Sequence, residues 1–237
     1  MAQGVSFNVM NQIFCLPGTM CTADLWTDLQ AQTKSSFELI HIDLPIQNSP
    51  EEIVQALALR LPQQVALVGF SLGGYLAALY ATTFPGRVKQ LSIISNTPCP
   101  LNEDELNSRA QTLAFLKQFR YTGMTQNKAK SMLDPSHQTD TLIKRIIEMD
   151  AQLNGDILIQ QLTSTTQRKD LADQLGTANI PVQFIASERD PLINWGWLQT
   201  IAENSENVKL IHVPGSGHML PLEQPSFVAQ KLEEFFC

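Results

Sequence analysis

The sequence predicts an α/β fold in which a mostly parallel central sheet is flanked by helices. Three observations predict it: short apolar segments recur along the chain, a turn signal follows each of them, and a longer helical pattern leads to the next. The apolar segments are rich in Val, Ile, Leu and Phe, as strands buried on both faces should be. The 237 residues, 43% of them hydrophobic, suffice for one large core, so we expect residues 1–237 to form a single domain.

The predicted strands and helices alternate along the chain. Helix 50–61 has a well-specified start, because Ser49 is a capping residue, Pro50 suits the first helical position and Glu52 follows three residues after the cap. Helix 72–84 is apolar or small on nearly every side, which predicts that it packs against the sheet. Strands are expected at 13–16, 38–42, 65–68, 88–94, 182–186 and 208–213, and helices at 23–33, 50–61, 72–84, 195–204 and 225–236.

The stretch 98–176 differs from the rest because it contains no strand-like segment. Its apolar residues recur at helical spacing, first over 106–114 and again over 142–153, with polar residues between them. We therefore expect a helical insertion over 98–176, placed within the single domain.

Charge and hydropathy exclude several classes of partner. The formal net charge is −7 and neither sign forms a long block, which argues against nucleic acid and anionic membranes as partners. No apolar run approaches the roughly 20 residues that a bilayer requires. The first basic residue is Lys34, so the amino terminus lacks the basic region of a signal peptide. The expectation is a soluble, cytoplasmic protein without membrane insertion; the sequence does not indicate its oligomeric state.

Cysteine and histidine spacing gives no support to a disulfide framework or a metal site. Cys15, Cys21, Cys99 and Cys237 are scattered without paired spacing, which favours reduced thiols. No histidine stands four residues from another in a helical pattern, so neither a metal nor another cofactor is expected.

The segment Gly69-Phe70-Ser71-Leu72-Gly73 carries the clearest chemical signal. A G-x-S-x-G pattern lets a strand turn sharply into a helix, which leaves the serine hydroxyl exposed and little room for side chains at the flanking positions. Here a predicted strand precedes the pattern and a predicted helix follows it. Ser71 is therefore the candidate nucleophile, against the simpler interpretation of a glycine turn.

A serine nucleophile needs a base, and His218 is the best-placed histidine. It lies in Pro214-Gly215-Ser216-Gly217-His218, directly after the last predicted strand, at the carboxyl edge of the sheet. The alternative for His218 is a surface-loop histidine. His41 and His212 lie within predicted strands and are expected to be packed, whereas His137 is expected to be exposed to solvent.

Asp190 is the candidate acid that orients the histidine, because it follows a predicted strand and the order Ser, acid, His fits this kind of fold. Glu188 is a rival by proximity. Asp170 and Asp173 are rivals by residue type, but they precede the strand and should face the opposite edge.

Attack on a carbonyl produces an oxyanion that requires two convergent N–H donors. One is expected from Leu72, the residue after the nucleophile, at the amino terminus of a helix. The other is expected from Thr19, because Gly18 lets the backbone of this early loop approach a ligand closely. The alternative for this loop is a simple proline-glycine turn.

Five motifs in the expected order resemble those of the α/β-hydrolase superfamily, and the resemblance covers nearly the whole chain. The motifs are Leu16-Pro17-Gly18, Asp43-Leu44-Pro45, Gly69-Phe70-Ser71-Leu72-Gly73-Gly74, Ser187-Glu188-Arg189-Asp190 and the segment 217–225. Within the superfamily the chain is similar to small carboxylesterases, such as the pimeloyl-carrier-protein methyl esterase group, and to enol-lactone hydrolases. The resemblance implies an α/β-hydrolase fold with an eight-stranded type of sheet, a helical cap over about 98–176 and no cofactor.

The chain departs from the superfamily pattern at two loops. Pro17 stands where a histidine often precedes the early glycine, and Ile46-Gln47-Asn48 replaces a Gly-His-Gly. Neither change removes a catalytic group, although both alter the hydrogen bonds available to their loops.

These residues together predict a serine hydrolase that cleaves a small carboxylic ester through an acyl-enzyme. Residues 98–176 mix apolar and amide side chains without an evident basic cluster, which favours an uncharged or weakly polar acyl group. Two alternatives remain: the same three residues used for carbon–carbon bond hydrolysis, lyase or perhydrolase chemistry, and a non-catalytic ligand receptor on a hydrolase scaffold.

Overall fold

A six-stranded parallel sheet forms the centre of the computed structural model, which describes residues 11–33 and 37–237. Its strands run in the order β2-β1-β3-β4-β5-β6. The chain therefore passes from β1 to the edge strand β2 and then adds β3 to β6 in sequence on the other side of β1. The strands are β1 Asn11–Leu16, β2 Phe37–His41, β3 Val65–Phe70, β4 Val88–Ile94, β5 Val182–Ser187 and β6 Val208–Val213.

All six predicted strands are present, and the α/β fold with a parallel sheet is confirmed. The described ranges contain six strands rather than the eight implied by the superfamily resemblance. β3 extends two residues beyond its predicted end, to Phe70, so that the strand reaches the predicted nucleophile directly.

Helices cover both faces of the sheet. They are α1 Thr27–Gln32, α2 Pro50–Arg60, α3 Leu72–Thr83, α4 Glu103–Gln118, α5 Gln126–Ser131, α6 Asp140–Ala151, α7 Gly155–Ser164, α8 Ala172–Gly176, α9 Trp195–Asn204, α10 Leu220–Glu223 and α11 Pro225–Phe236. A short 3-10 turn, Ala23–Trp26, precedes α1, so the predicted helix 23–33 is divided in two.

Local sequence explains why α2 and α3 form where they do. Ser49 caps α2, since its side chain accepts a hydrogen bond from the backbone N–H of Glu52 at 3.2 Å. α3 is buried from Leu72 to Ala81, as its apolar composition predicts, and packs against β3 and β4. The buried side chains of α2, α3 and α9 form the core on one face of the sheet, and those around α1 and α11 form the core on the other.

The chain between β4 and β5 is helical from α4 to α8, with a second 3-10 turn at Pro135–His137. Its two ends meet, because the N–H of Leu171 donates to the carbonyl of Pro98 at 3.0 Å. Its helices differ in burial: α6 buries Ile143, Ile146 and Met149, whereas α4 buries no residue. Within the described ranges, no helix is long and apolar enough to cross a membrane.

Candidate active site

Ser71 is the single residue between the end of β3 and the start of α3. Its backbone has a φ of 50°, in the left-handed region that non-glycine residues rarely adopt. The turn is tight: a Cβ at Gly69 would lie 2.3 Å from the carbonyl oxygen of Gly73, and one at Gly73 would lie 2.1 Å from that of Leu16. The two glycines are therefore required by backbone contacts on both sides of the serine.

The structure brings Ser71, His218 and Asp190 into one line of hydrogen bonds. His218 Nε2 lies 2.9 Å from Ser71 Oγ, and His218 Nδ1 lies 2.7 Å from Asp190 Oδ2. His218 is 6% exposed and Asp190 is 3% exposed, so both groups are shielded from solvent. This arrangement places an acceptor nitrogen beside the hydroxyl and a carboxylate behind the ring.

Electrostatics favour a proton on this imidazole. Burial alone lowers the pKa of His218, but the charge and hydrogen bond of Asp190, together with the charge of Glu223, outweigh it. The pKa of His218 is therefore raised above its ordinary value of 6.5. An imidazole with a raised pKa accepts a proton more readily than a free one.

Asp190 is fixed by its own loop. Its N–H donates to the carbonyl of Ser187, and its Oδ1 accepts the N–H of Leu192 at 3.0 Å. Among the rival carboxylates, Glu188 and Asp173 are exposed, and Asp170 accepts the indole N–H of Trp197 at 2.9 Å. The described contacts of His218 include none of these three rivals.

The loop after β1 lies against the serine. A Cβ at Gly18 would come within 3.2 Å of Ser71 Cβ, so the backbone on either side of Gly18 runs beside the nucleophile. In the described part of the chain, neither the amide of Thr19 nor that of Leu72 has a hydrogen-bond acceptor. The two predicted donors therefore remain available to a ligand.

A residue that the sequence did not indicate holds this loop. Gln161, in α7, accepts the N–H of Met20 with its side-chain oxygen at 3.0 Å. Met20 has a φ of 54°, so this hydrogen bond fixes an unfavourable backbone conformation next to Thr19. No local motif marks Gln161, because it lies 141 residues away from its partner.

Comparison with known sequences decides the family. Residues 31–225, far more than half of the chain, match the family described as alpha/beta hydrolase fold. The chain belongs to the alpha/beta hydrolase fold family. The superfamily resemblance drawn from the five motifs is thereby confirmed.

Individual relatives of this alpha/beta hydrolase agree with that assignment. A pimeloyl-acyl-carrier-protein methyl ester esterase from Nitrosomonas europaea is 24% identical over 86% of each chain. A thermophilic esterase from Thermogutta terrifontis has a TM-score of 0.80 with 18% identity, covering 95% of this chain and 89% of that one. An enol-lactonase from Burkholderia xenovorans has a TM-score of 0.79 with 11% identity, covering 95% and 91%.

The described hydrogen bonds and ion pairs of the remaining histidines include none with Ser71, Asp190 or His218, and two predictions about these histidines were wrong. His212 is exposed rather than packed, because β6 is the last strand of the sheet, and its ring stacks on Trp195 at 4.6 Å. His137 is half-buried rather than exposed, since its ring faces Glu223. His41, expected to be packed, is mostly buried and accepts the indole N–H of Trp26.

Two cavities adjoin the helices around the site. A small one of about 20 Å³ lies beside Leu72 and is bordered by Gln161 of α7. A cleft of about 670 Å³ lies between the start of α2 and residues 163–169, with Arg168 on its wall. Arg109 and Arg168, distant in sequence, both donate to Thr165, a grouping that the sequence did not reveal.

Proposed function

We propose that this alpha/beta hydrolase is a serine esterase that cleaves small carboxylic esters through an acyl-enzyme intermediate. One observation carries the proposal: Ser71 Oγ, the imidazole of His218 and the carboxylate of Asp190 are joined by hydrogen bonds of 2.9 and 2.7 Å. Nucleophile, base and orienting acid with this geometry recur in serine hydrolases of unrelated folds.

In the acylation step, Ser71 Oγ attacks the ester carbonyl carbon while its proton passes to His218 Nε2. The carbonyl oxygen becomes an oxyanion, which accepts hydrogen bonds from the amides of Thr19 and Leu72. The bond to the alcohol then breaks, and the leaving oxygen takes the proton from Nε2. Asp190 accepts the hydrogen bond from Nδ1–H throughout, which keeps Nε2 free to receive a proton in the resting enzyme.

In the deacylation step, a water molecule gives a proton to His218 Nε2 and attacks the acyl carbon. The same two amides stabilise the second oxyanion. The bond between the acyl carbon and Ser71 Oγ breaks, Oγ recovers the proton from Nε2, and the carboxylic acid leaves. The cycle restores every protein group to its starting protonation state.

The substrate class follows from the space around Leu72. We assign the cap role to residues 98–176, because Gln161 of α7 borders the cavity beside Leu72. That cavity of about 20 Å³ is close to the volume of one water molecule, so it has little room for a long acyl group while α7 stays in place. A short acyl chain fits this space best, and the apolar side chains of Leu44, Ile46 and Ile157 on its walls favour an uncharged one. An ester of such an acid is the proposed substrate.

The test is a panel of p-nitrophenyl esters of increasing acyl length, assayed on the native protein and on two serine variants. Ser71→Ala should lower kcat by about 10⁵ to 10⁶-fold, because the nucleophile is removed. Ser95→Ala is the matched control: Ser95 also directly follows a strand and has a φ of 51°, but its buried hydroxyl finds no hydrogen-bond partner among the described residues. It should retain turnover.

Four outcomes decide between the esterase and its alternatives. Short-chain esters turned over by the native protein and lost in Ser71→Ala support the esterase. Labelling of Ser71 by a fluorophosphonate without ester turnover favours carbon–carbon bond, lyase or perhydrolase chemistry. If the serine is not labelled and no ester is turned over, a non-catalytic receptor is favoured. Retained turnover in Ser71→Ala contradicts the role of the serine.

A further inference from the structure

Glu223 is a buried carboxylate at the end of α10, and its side chain is fully shielded from solvent. It accepts three backbone N–H groups: Oε1 from Met219 at 2.9 Å, and Oε2 from Gly217 at 2.8 Å and Asp134 at 2.9 Å. Burying a carboxylate is unfavourable unless such donors compensate it. The three amides are therefore the reason that a charged Glu223 is tolerated here.

Two of these donors flank the proposed base. Gly217 and Met219 are the neighbours of His218 in the chain, and the N–H of His218 itself donates to the carbonyl of Met132 at 2.9 Å. The backbone on both sides of His218 is thus tied to a single carboxylate.

We propose that Glu223 is a positioning residue for His218, which it fixes by binding the amides of Gly217 and Met219 while holding the segment 132–134 against them. The proposal rests on the esterase function proposed above. It adds a role that neither the motif around Ser71 nor the line of hydrogen bonds through Asp190 contains.

The close fit at Gly217 supports a positioning role. A Cβ at this position would lie 2.6 Å from the backbone nitrogen of Asp134 and 2.7 Å from the carbonyl carbon of Leu133. The loop of His218 and the segment 132–134 therefore meet backbone to backbone. At this spacing one carboxylate oxygen reaches the amides of both Gly217 and Asp134.

The charge of Glu223 also reaches the imidazole. The groups that act on His218 are Asp190 and Glu223, whose negative charges raise its pKa, and Lys128, whose positive charge lowers it. The ring of His137 also faces Glu223, with Nδ1 at 3.4 Å from Oε2. Removal of the Glu223 charge should therefore lower the pKa of His218, whereas a purely structural residue would leave it unchanged.

Two variants separate geometry from charge. Glu223→Gln keeps the shape of the side chain but loses the charge and one acceptor oxygen. It should reduce kcat by about 10²-fold, which is the effect of displacing a catalytic group by about 1 Å. It should also move the acid limb of the pH profile to lower pH. Glu223→Asp keeps the charge but is too short to hold both loop amides. It should lower kcat while leaving the acid limb in place.

The matched control is Asp150→Asn. Asp150 is also a fully buried carboxylate, and it accepts the N–H of Met124 at 2.8 Å, but it is absent from the groups that act on His218. This variant should have a lower thermal stability than the native protein. Its kcat and the acid limb of its pH profile should be unchanged.

The proposal is overturned if Glu223→Gln or Glu223→Asp retains the native kcat, or if Asp150→Asn shifts the acid limb as Glu223→Gln does. If Glu223→Gln does not fold, the kcat of Glu223→Asp decides the geometric role. Titration of the ring proton of His218 by NMR needs no substrate. If the pKa of His218 is unchanged in folded Glu223→Gln, the proposed effect of the Glu223 charge is overturned. This conclusion holds even if the native protein shows no turnover and the proposed function has itself failed.

Discussion

Two regions build the candidate site, and the sequence reveals them unequally. The carboxyl edge of the sheet supplies Ser71, Asp190 and His218, which follow β3, β5 and β6 respectively. The chain between β4 and β5 supplies the carbonyl of Met132 and the side chain of Gln161. The first set was predicted residue by residue, and the second was not predicted at all.

The difference lies in how each region holds the site. Strand ends are recognisable because buried strands leave apolar segments and tight turns leave glycines. The helical segment acts through a backbone carbonyl, which every residue possesses, and through one amide side chain among many. Contacts of this kind leave no periodic trace in a single sequence.

The largest effect among the following variants is expected at the strand edge. Asp190→Asn should reduce kcat by about 10⁴-fold, because an amide no longer fixes the tautomer of His218 with Nε2 unprotonated. Asp170→Asn is the control, since the described hydrogen bonds of Asp170 come from the indole N–H of Trp197 and the backbone N–H of Ala172, and none involves His218. Equal losses in both variants, measured as steady-state kcat, would contradict the choice of acid.

Gly73→Ala tests whether the close contact beneath Ser71 supports the oxyanion loop. An added Cβ would meet the Leu16 carbonyl at 2.1 Å, so the loop carrying Thr19 must move, and kcat should fall by about 10² to 10³-fold. Gly196→Ala is the control, because within residues 11–33 and 37–237 its Cβ would meet only Asn194 Oδ1, at 3.7 Å. Native kcat in Gly73→Ala would show that the loop tolerates displacement.

The pH profile tests the electrostatics of the strand edge. The base must be neutral to accept a proton, and the pKa of His218 is raised above 6.5, with Asp190 opposing the effect of burial. The acid limb of kcat/KM should therefore have its midpoint above pH 6.5, and activity should fall about tenfold for each pH unit below it. A midpoint below 6.5 would mean that burial prevails.

Gln161→Ala tests the helical side of the comparison. Loss of the hydrogen bond to Met20 should loosen the loop of Thr19 without removing its amide, so kcat should fall about tenfold, less than the loss of a donor costs. Asp156→Ala is the control on the same helix, since Asp156 is exposed and borders neither of the two cavities described above. If the two variants have equal kcat, α7 does not position the loop.

The smallest effect of a substitution is expected at the carboxyl-terminal end of α4, a helix that buries no residue. Phe119, just after this helix, is 56% exposed and stacks only on Phe115 in the described ranges. Phe119→Ser should change the free energy of unfolding by no more than about 0.5 kcal/mol and leave kcat unchanged. A larger loss, measured by urea unfolding, would show that this face is covered in solution.

The sequence therefore predicted the architecture better than the environment of single side chains. The six strands and the bounds of α9 and α11 follow from short apolar segments and helical periodicity. His212 was misjudged because the order of strands, and thus which strand lies at an edge, depends on contacts distant in sequence. Glu223 was seen only as part of a motif, since its three donors include an amide 89 residues away.

The meeting of Pro98 and Leu171 has a consequence for how such chains diverge. Because one hydrogen bond joins the two ends of the intervening helices, β4 and β5 need not move when those helices are lengthened, shortened or exchanged. A transplanted segment must nevertheless bring an acceptor for the N–H of His218 and a donor for Glu223. Exchange between relatives is thus free in length but restricted at these two backbone atoms and at the acceptor that Gln161 provides for the N–H of Met20.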